Sequence, residues 1–346
     1  MFNLLLTGGS GFMGKFIIDE LLSSDSPVPL KSLRIFDTAG YHGREDPRIE
    51  FVGGNVLDRE AVNNACRGMD VVLHTAAIVD WGTHPPAEVF NVNTNGTSNV
   101  ISACQSEKVR VLVFTSSLDA VFGGKPLVNT DECAPYPAAF PNMYCRSKAE
   151  AEKVVKSANG DRLKTVILRP ADIWGEGDPF HIGSLLDMAK GGFYVRLGNG
   201  KAKSQHVYAG NMAVAHLQAA KALLDGNAKP AGQVYFITDS DGSNFFRFYD
   251  AIIAAAGYRI RPSNLWIPRR TAYCIGATAE FAAWLIRPFK KITPGLSRFA
   301  VTYTCSDFTF SAARAEKDFG FKPKYSPTES FNRTVEYYKI TKPRTP

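Results

Sequence analysis

The sequence has little of what disulfide-stabilised or metal-dependent proteins require. Its 346 residues include only six cysteines, at positions 66, 104, 133, 145, 274 and 305, with no C-x-x-C pair and no accompanying histidine cluster. Neither a disulfide framework nor a zinc site is therefore expected, and no metal site is predicted. The cysteine pattern favours a reducing compartment, so we expect a cytoplasmic protein.

Long hydrophobic runs are also missing. The longest candidate, Thr271–Ile286, is 16 residues long and contains Glu280, whereas a bilayer-spanning helix needs about 20 apolar residues. At the N-terminus, Leu4-Leu5-Leu6 runs directly into glycines. We interpret these leucines as a buried strand rather than as part of a signal peptide.

Motifs typical of nucleic-acid-binding proteins are absent as well, so no nucleic-acid partner is expected despite the net charge of +7. An excess of positive charge suits an anionic ligand or an acidic membrane surface equally well. Hydrophobic residues make up 45% and charged residues 21% of the chain, which is ordinary for a globular protein of one or two domains.

What the chain does contain is a regular alternation of short apolar runs and helical patterns. Such alternation is typical of βαβ units and a parallel sheet. The apolar runs are Asn3–Leu6, Leu33–Phe36, Ile49–Val52, Val71–Leu73, Val109–Phe114, Thr165–Leu168 and Val234–Ile237. The helical patterns between them include Phe16–Leu22, Glu60–Cys66, Thr97–Ser106 and Tyr144–Ser157.

A glycine-rich turn follows the first of these runs, in the segment Thr7-Gly8-Gly9-Ser10-Gly11-Phe12-Met13-Gly14. Gly8 permits a tight turn, Gly11 lets the backbone approach a pyrophosphate, and Gly14 allows close packing of helix on strand. The N-terminus of the helix would then face the phosphates with free N–H groups. The segment predicts a dinucleotide site.

Asp37 ends the second run, 23 positions after Gly14. A carboxylate there can accept hydrogen bonds from ribose hydroxyls and would repel a 2′-phosphate. NAD is therefore favoured as cofactor, while the nearby Arg34, Arg44 and Arg48 keep NADP as the alternative.

Tyr144 and Lys148 are one helical turn apart at the start of a predicted helix. Hydride transfer to or from a carbinol needs a group that moves the hydroxyl proton. A neighbouring ammonium is expected to lower the pKa of the tyrosine and so to make it a better base. Ser117, just after the buried run Val109–Phe114, is placed to hold the substrate oxygen, because ligands bind at the carboxyl ends of parallel strands.

These residues together resemble the extended short-chain dehydrogenase/reductase superfamily. The glycine segment is similar to its glycine motif, and Tyr144-x-x-x-Lys148 to its catalytic pair. In the family's Thr-Ser-Ser run the second serine is catalytic, which here is Ser117, with Ser116 as the alternative. The resemblance implies cofactor contacts from the whole segment, including Thr7, Ser10, Phe12 and Met13.

Other short segments carry the resemblance further. Asn55 and Val56 match the stretch that lines the adenine, although Asn55 stands where the family usually has aspartate. Ala76 and Ala77 match the strand end that passes the cofactor. The resemblance also implies that Asn93 steadies the active site as a member of the catalytic group. Pro170 and Ile173 match the loop that contacts the nicotinamide.

The C-terminal half resembles one branch of this superfamily. Tyr273–Phe289, Pro294–Arg298 and Phe308–Pro323 are similar to the 3β-hydroxysteroid dehydrogenases, a branch that includes the sterol-4α-carboxylate 3-dehydrogenases. The resemblance implies NAD-linked oxidation of a 3β-hydroxyl on a steroid or sterol-like alcohol, or the reverse reaction. One departure is that no Asp or Glu occurs from Ala251 to Ala279, where isomerising members are expected to place acid/base residues. We therefore predict dehydrogenation without efficient Δ5–Δ4 isomerisation.

The predicted fold is an α/β fold: a doubly wound parallel Rossmann sheet with a smaller C-terminal substrate-binding lobe. We expect residues 1–178 to form the NAD-binding domain, residues 204–239 to return to it, and residues 179–203 and 240–346 to form the lobe. Residues 269–291, with basic residues at both ends, are either a lid over the cleft or a peripheral membrane contact. The sequence also allows a homodimer.

Three other functions fit parts of the sequence. The first is a decarboxylating sterol-4α-carboxylate 3-dehydrogenase. The second is an NADP-dependent extended reductase of phenolic or flavonoid-like ketones, against which Asp37 argues. The third is a non-enzymatic nucleotide-binding sensor, a class that typically lacks the Tyr/Lys pair present here.

Overall fold

The computed structural model describes residues 1–82, 84–286 and 294–340. The strands are β1 (Phe2–Thr7), β2 (Leu30–Asp37), β3 (Ile49–Gly53), β4 (Val71–His74), β5 (Val111–Thr115), β6 (Leu127–Thr130), β7 (Lys164–Pro170), β8 (Asp172–Trp174), β9 (Arg196–Leu197), β10 (His206–Tyr208), β11 (Gln233–Ile237), β12 (Trp266–Ile267) and β13 (Phe308–Phe310).

Helices connect most of these strands. They are α1 (Phe12–Leu21), α2 (Arg59–Cys66), α3 (Pro86–Phe90), α4 (Thr97–Ser106), α5 (Met143–Ser157), α6 (His181–Lys190), α7 (Ala209–Leu224), α8 (Phe245–Ala255), α9 (Arg269–Ile286), α10 (Arg298–Thr304), α11 (Ala313–Phe319) and α12 (Pro327–Ile340). A π-helical turn at Asn91–Gly96 precedes α4, and a 3₁₀ turn at Leu118–Val121 follows β5.

Seven strands form one sheet in the order β11-β7-β5-β4-β1-β2-β3, and every neighbouring pair is parallel. Parallel neighbours need crossover connections, which helices provide on both faces except between β2 and β3, where residues 38–48 contain no helix. Each of the seven apolar runs coincides with one of the seven strands. The predicted doubly wound Rossmann sheet is confirmed.

The two faces of the sheet are covered by different helices because side chains alternate along each strand. Leu4 and Leu6 of β1 join an apolar core with α1 and α7. Leu5, between them, belongs to a second core with α2, α4 and α5. Strand order reverses between β1 and β4, so a crevice is expected at the carboxyl ends of these two strands.

Three short parallel pairs tie the later part of the chain to the earlier part: β13 to β6, β10 to β8, and β12 to β9. Lys324, near the C-terminus, donates to the Glu20 carboxylate of α1 at 2.9 Å. The division into residues 1–178 with 204–239, and 179–203 with 240–346, stays a prediction. Residues 287–293 and 341–346, which belong to that second set, lie outside the described residues.

Candidate active site

A cavity of about 690 Å³ opens at the carboxyl ends of β1, β2, β4, β5 and β7. Most of the predicted site residues line it: Gly8, Gly11, Phe12, Met13, Asp37, Asn55, Val56, Ala76, Ala77, Ser117, Tyr144, Lys148, Pro170 and Ile173. Thr7, Ser10, Gly14 and Asn93 are not part of this lining.

The glycine turn brings bare backbone to the cavity wall. Gly8 has a φ of +76°, and a Cβ there would come within 2.7 Å of the Ala76 backbone nitrogen. A Cβ on Gly14 would clash with the carbonyl of Gly9, so this position fixes how α1 packs on β1. Gly11 caps α1 without any side-chain hydrogen bond. A helix N-terminus that has no side-chain cap leaves its N–H groups available at the cavity wall. These groups can bind a pyrophosphate, so the glycine turn can hold a dinucleotide.

Asp37 is held in a fixed orientation at the end of β2. One carboxylate oxygen accepts from the Ser10 N–H at 3.0 Å, and the other accepts from the Ala39 N–H at 3.0 Å. The Ser10 hydroxyl donates to the Ala39 carbonyl. Ser10 therefore orients Asp37 rather than facing the cavity. Each carboxylate oxygen keeps a second lone pair for a ribose hydroxyl.

Thr7 and Asn93 support the site from behind. Thr7 Oγ1 lies 2.6 Å from Nδ1 of the buried His74. Asn93, in the π-helical turn, binds both backbone groups of Ile78. Its side-chain oxygen accepts from the Ile78 N–H at 2.8 Å, and its side-chain NH2 donates to the Ile78 carbonyl at 2.9 Å. Its amide also donates to Ser147 Oγ on α5 at 3.0 Å. Asn93 thus joins the loop after β4 to the helix that carries Tyr144 and Lys148.

The predicted catalytic residues meet where β5 and α5 approach each other. Asn142 caps α5 by accepting from the Cys145 N–H at 2.9 Å, which places Tyr144 in the first turn. Lys148, one turn later, donates to the Thr115 carbonyl at 2.9 Å. Ser117 follows β5 and donates to Asp119 at 2.7 Å. The side chains of Ser117, Tyr144 and Lys148 are all buried.

The electrostatics of Tyr144 differ from the sequence-based prediction. Burial, and next the charge of Asp119, raise the pKa of Tyr144 above its usual range, while a hydrogen bond with Ser117 lowers it. We expected Lys148 to lower the pKa of Tyr144. In the protein without cofactor this pKa is raised instead, so the expectation is wrong for that state. Burial also lowers the pKa of Lys148 to about 8, so part of its charge is lost near neutral pH.

Several residues at the far end of the cavity were not predicted to be functional. Asp119, Asp172, His181, Phe299 and Tyr303 line this end. Burial raises the pKa of Asp119 to about 6, with a further contribution from the charge of Asp172. They come from four different segments of the chain, so spacing gave no signal for most of them. The exception is Asp119, an acid two residues after the predicted catalytic serine.

Asp80 and Trp81 also line this end of the cavity. The indole of Trp81 packs edge-on against His181, Phe299 and Tyr303, with ring centroids 5.0–5.9 Å apart. Aromatic side chains and carboxylates therefore share this end. In the described ranges no group of three His, Cys, Asp or Glu residues is arranged to hold a metal ion.

Comparison with known proteins gives a consistent family. The model of the 3-beta hydroxysteroid dehydrogenase/isomerase family matches residues 5–268. The chain is 32% identical over 354 residues to mouse 3 beta-hydroxysteroid dehydrogenase type 7, covering 96% of this chain and 94% of that protein. It is 31% identical over 349 residues to the decarboxylating sterol-4-alpha-carboxylate 3-dehydrogenase of Candida albicans, covering 97% of each.

Solved structures support the fold. A dTDP-glucose 4,6-dehydratase from Streptomyces venezuelae, solved with NAD bound, superimposes with a TM-score of 0.74 at 20% identity. The match covers 98% of this chain and 97% of that one. At this identity the likeness concerns the arrangement of strands and helices alone.

Proposed function

The chain belongs to the 3-beta hydroxysteroid dehydrogenase/isomerase family, and from this premise we propose that it oxidises the 3β-hydroxyl of a steroid or sterol-like alcohol to the ketone, or catalyses the reverse. The observation that carries the proposal is the meeting of Ser117, Tyr144 and Lys148 in one cavity with the glycine turn.

In this proposal Tyr144 takes the hydroxyl proton and Ser117 holds the carbinol oxygen. The buried Lys148 ammonium favours the phenolate form of Tyr144 while its own position is fixed by the Thr115 carbonyl. A bound oxidised nicotinamide dinucleotide supplies the acceptor for the hydride that leaves the carbinol carbon. Gly8, Gly11 and the start of α1 would hold its pyrophosphate.

We propose NAD rather than NADP as this cofactor. Asp37 lines the cavity, and its carboxylate would repel the 2′-phosphate of NADP. Two of the three arginines that kept NADP open are engaged elsewhere: Arg34 pairs with Glu50 at 2.8 Å and Arg48 with Asp46 at 2.8 Å. Neither arginine lines the cavity within the described part of the chain.

A decarboxylating sterol-4α-carboxylate 3-dehydrogenase is the second candidate. The Candida albicans relative bears that name and matches over nearly its whole length. The two candidates share the oxidation of a 3β-hydroxyl and differ in whether the neighbouring carbon carries a carboxylate. The prediction that Δ5–Δ4 isomerisation is inefficient rested on residues 251–279. Because Asp119 and Asp172 line the cavity outside that segment, this prediction now depends on those two acids as well.

The test is turnover of purified protein with NAD and a panel of 3β-hydroxysteroids and sterols, followed by NADH absorbance. We expect NADH formation that Tyr144→Phe abolishes while NAD still binds, as measured by titration calorimetry. Formation of the conjugated ketone, followed in the same assay, tests the isomerisation. If the panel gives no NADH, or if Tyr144→Phe keeps near-normal activity, the proposal is wrong.

We also propose that α9 touches a membrane surface. Its Phe281, Trp284 and Leu285 side chains are 60%, 63% and 53% exposed, which is unusual for large apolar residues. None of the described residues of α9 lines the cavity, so the lid alternative has less support. No described helix is long and apolar enough to cross a bilayer. Residues 287–291 of the predicted contact lie outside the described residues.

Flotation with anionic phospholipid vesicles tests this contact. We expect the protein to float with the vesicles at low salt, and Phe281→Ser with Trp284→Ser to stay at the bottom of the gradient. Flotation of both proteins alike, or of neither, would exclude α9 as the contact. The homodimer stays a prediction, which analytical ultracentrifugation can test.

A further inference from the structure

The substrate end of the cavity carries an excess of negative charge. Beyond the cofactor end, the carboxylates of Asp80, Glu88, Asp119 and Asp172 line it. The described residues of the lining include no arginine, Lys148 is their only lysine, and their histidines are His181 and His84, which lies 3.2 Å from Asp80. The Lys148 ammonium is already bound to the Thr115 carbonyl.

Asp119 is the acid that lies nearest to the reacting atoms. It accepts the Ser117 hydroxyl at 2.7 Å, and its charge is strong enough at Tyr144 to raise the pKa of that phenol. Its side chain is buried, and among the described residues its other oxygen accepts only from the weak Cys145 thiol donor, at 3.7 Å. Asp119 forms no salt bridge with any residue that the structure describes. Its charge is therefore only partly neutralised, by His181 and Lys148 from beyond salt-bridge distance.

Asp172 adds a second carboxylate behind it. Tyr303 donates to one oxygen at 2.5 Å and Ser204 to the other at 3.0 Å. The imidazole of His181 lies 3.7 Å from Asp172. Asp119 and Asp172 are thus two carboxylates beside a single ammonium group, that of Lys148.

A carboxylate on the carbon next to the carbinol would enter this region. It lies within a few bond lengths of the hydroxyl that Ser117 and Tyr144 must hold, and so close to Asp119. Like charges at short range repel strongly where water is excluded. A neutral substrate meets no such repulsion, and its apolar rings suit the aromatic side chains of Trp81, Phe299 and Tyr303 at the same end.

We propose that Asp119 is a specificity-determining residue, which makes this site prefer 3β-hydroxysteroids that are uncharged next to the carbinol over 4α-carboxylated sterols. The inference rests on the proposed function and deepens it, because both substrate classes undergo the same oxidation.

The test compares kcat/KM with NAD for a neutral 3β-hydroxysterol and its 4α-carboxylate at about pH 8, above the pKa of Asp119 of about 6. We expect the wild-type protein to favour the neutral sterol by roughly a hundredfold, since juxtaposed like charges cost several kcal/mol. Asp119→Asn keeps the size of the side chain and an acceptor for Ser117. In this variant the preference should fall at least tenfold, because one of the charges that repel the substrate carboxylate is removed.

Asp161→Asn is the matched control, because it removes the same charge from a fully exposed side chain outside the cavity. We expect it to keep the wild-type preference. If Asp119→Asn turns over too slowly, titration calorimetry of the two sterols with the NADH-bound variant measures the same ratio as dissociation constants.

The outcomes separate the inference from the function. Oxidation of both sterols with similar efficiency, or a preference that Asp119→Asn leaves unchanged, overturns the inference and leaves the dehydrogenase. A wild-type preference for the carboxylate overturns it as well and favours the decarboxylating candidate. Absence of oxidation of either sterol overturns the proposed function and, with it, the inference.

Discussion

At the level of single residues, the proton chemistry of the site depends on the pair Tyr144 and Asp119. A phenol beside an anion resists losing its proton, because the phenolate would be a second negative charge. Burial and the Asp119 charge both raise the pKa of Tyr144. The enzyme therefore needs the positive charge of Lys148, and that of the oxidised cofactor when bound, to make Tyr144 a base.

Removal of the Asp119 charge is predicted to move the pH profile of the reaction. In Asp119→Asn one cause of the raised pKa of Tyr144 is gone. The pKa of Tyr144 then falls, and a larger fraction is phenolate at any given pH. The rising limb of kcat/KM for alcohol oxidation should shift to lower pH, measured with the preferred sterol and saturating NAD. Asp161→Asn should leave the limb unchanged, and a shift to higher pH in Asp119→Asn would contradict this account.

Asp37 is predicted to set the choice of cofactor. Hydrogen bonds to a charged group contribute about 1.5–3 kcal/mol, so Asp37→Ser should weaken NAD binding by roughly 10- to 100-fold. NADP binding should be unchanged or stronger, because the repulsion of its 2′-phosphate is removed. Asp46→Asn is the control: this partly buried acid pairs with Arg48 and does not line the cavity. Equal loss of both cofactors in Asp37→Ser would mean that Asp37 only supports the glycine turn.

At the level of elements, α5 combines catalysis and anchoring on one face. Tyr144, Lys148 and Glu152 follow one another at one-turn intervals. Glu152 is fully buried and receives two bonds from Arg169 of β7, at 2.8 and 2.7 Å. It also accepts from Ser116 at 2.5 Å, next to the predicted catalytic Ser117. The anchor therefore fixes the distance between α5 and the end of β5.

Loss of this anchor is predicted to be costly. Glu152→Gln leaves the Arg169 guanidinium, which is 2% exposed, without a charge partner. Removal of one partner of a buried pair typically costs about 3–5 kcal/mol, and chemical denaturation should show a loss in that range together with reduced kcat. Glu150→Gln on the same helix breaks a half-exposed pair with Lys153 and should cost less than about 0.5 kcal/mol. Similar losses of stability in both variants would show that the buried Glu152–Arg169 pair stabilises the fold no more than the half-exposed pair does.

Sequence patterns predicted some helices and strands of this fold and missed others. Long periodic segments were predicted closely: Thr97–Ser106 coincides with α4, and Tyr144–Ser157 differs from α5 by one residue. The pairs β6 with β13 and β9 with β12 were not predicted. These strands have two to four residues, too few to show a period. Their partners lie far along the chain, so only tertiary packing decides that they form.

At the scale of the whole molecule, the parts of the site that consist of short sequence patterns could be predicted, and the parts assembled from distant segments could not. The glycine turn, Asp37 and Tyr144 with Lys148 could be predicted because each is a short pattern attached to one strand or helix. The substrate end could not, because it assembles Asp119, Asp172, His181, Phe299 and Tyr303 across almost 190 positions of the sequence. Distances between such residues depend on the completed fold.

The cofactor half and the later part of the chain are predicted to unfold as one unit. One continuous apolar core includes Leu4 of β1 and Val335 and Tyr338 of α12. Polar ties cross the same boundary, since Asn211 of α7 accepts from the Tyr325 N–H at 2.8 Å. Because neither part can lose its packing without exposing the other, we expect a single cooperative transition in denaturant. Far-UV circular dichroism and tryptophan fluorescence should give the same midpoint.

Cofactor binding sharpens this prediction. A ligand that binds only the folded protein stabilises it by about 2.7 kcal/mol at 100 times its Kd. If the chain unfolds as one unit, NAD at that concentration should raise both midpoints together, although its predicted contacts lie in residues 1–178. In Asp37→Ser, which binds NAD weakly, the same NAD concentration should move both midpoints less. Two separate transitions, of which NAD moves only one, would show instead that residues 179–203 and 240–346 form an independently stable domain.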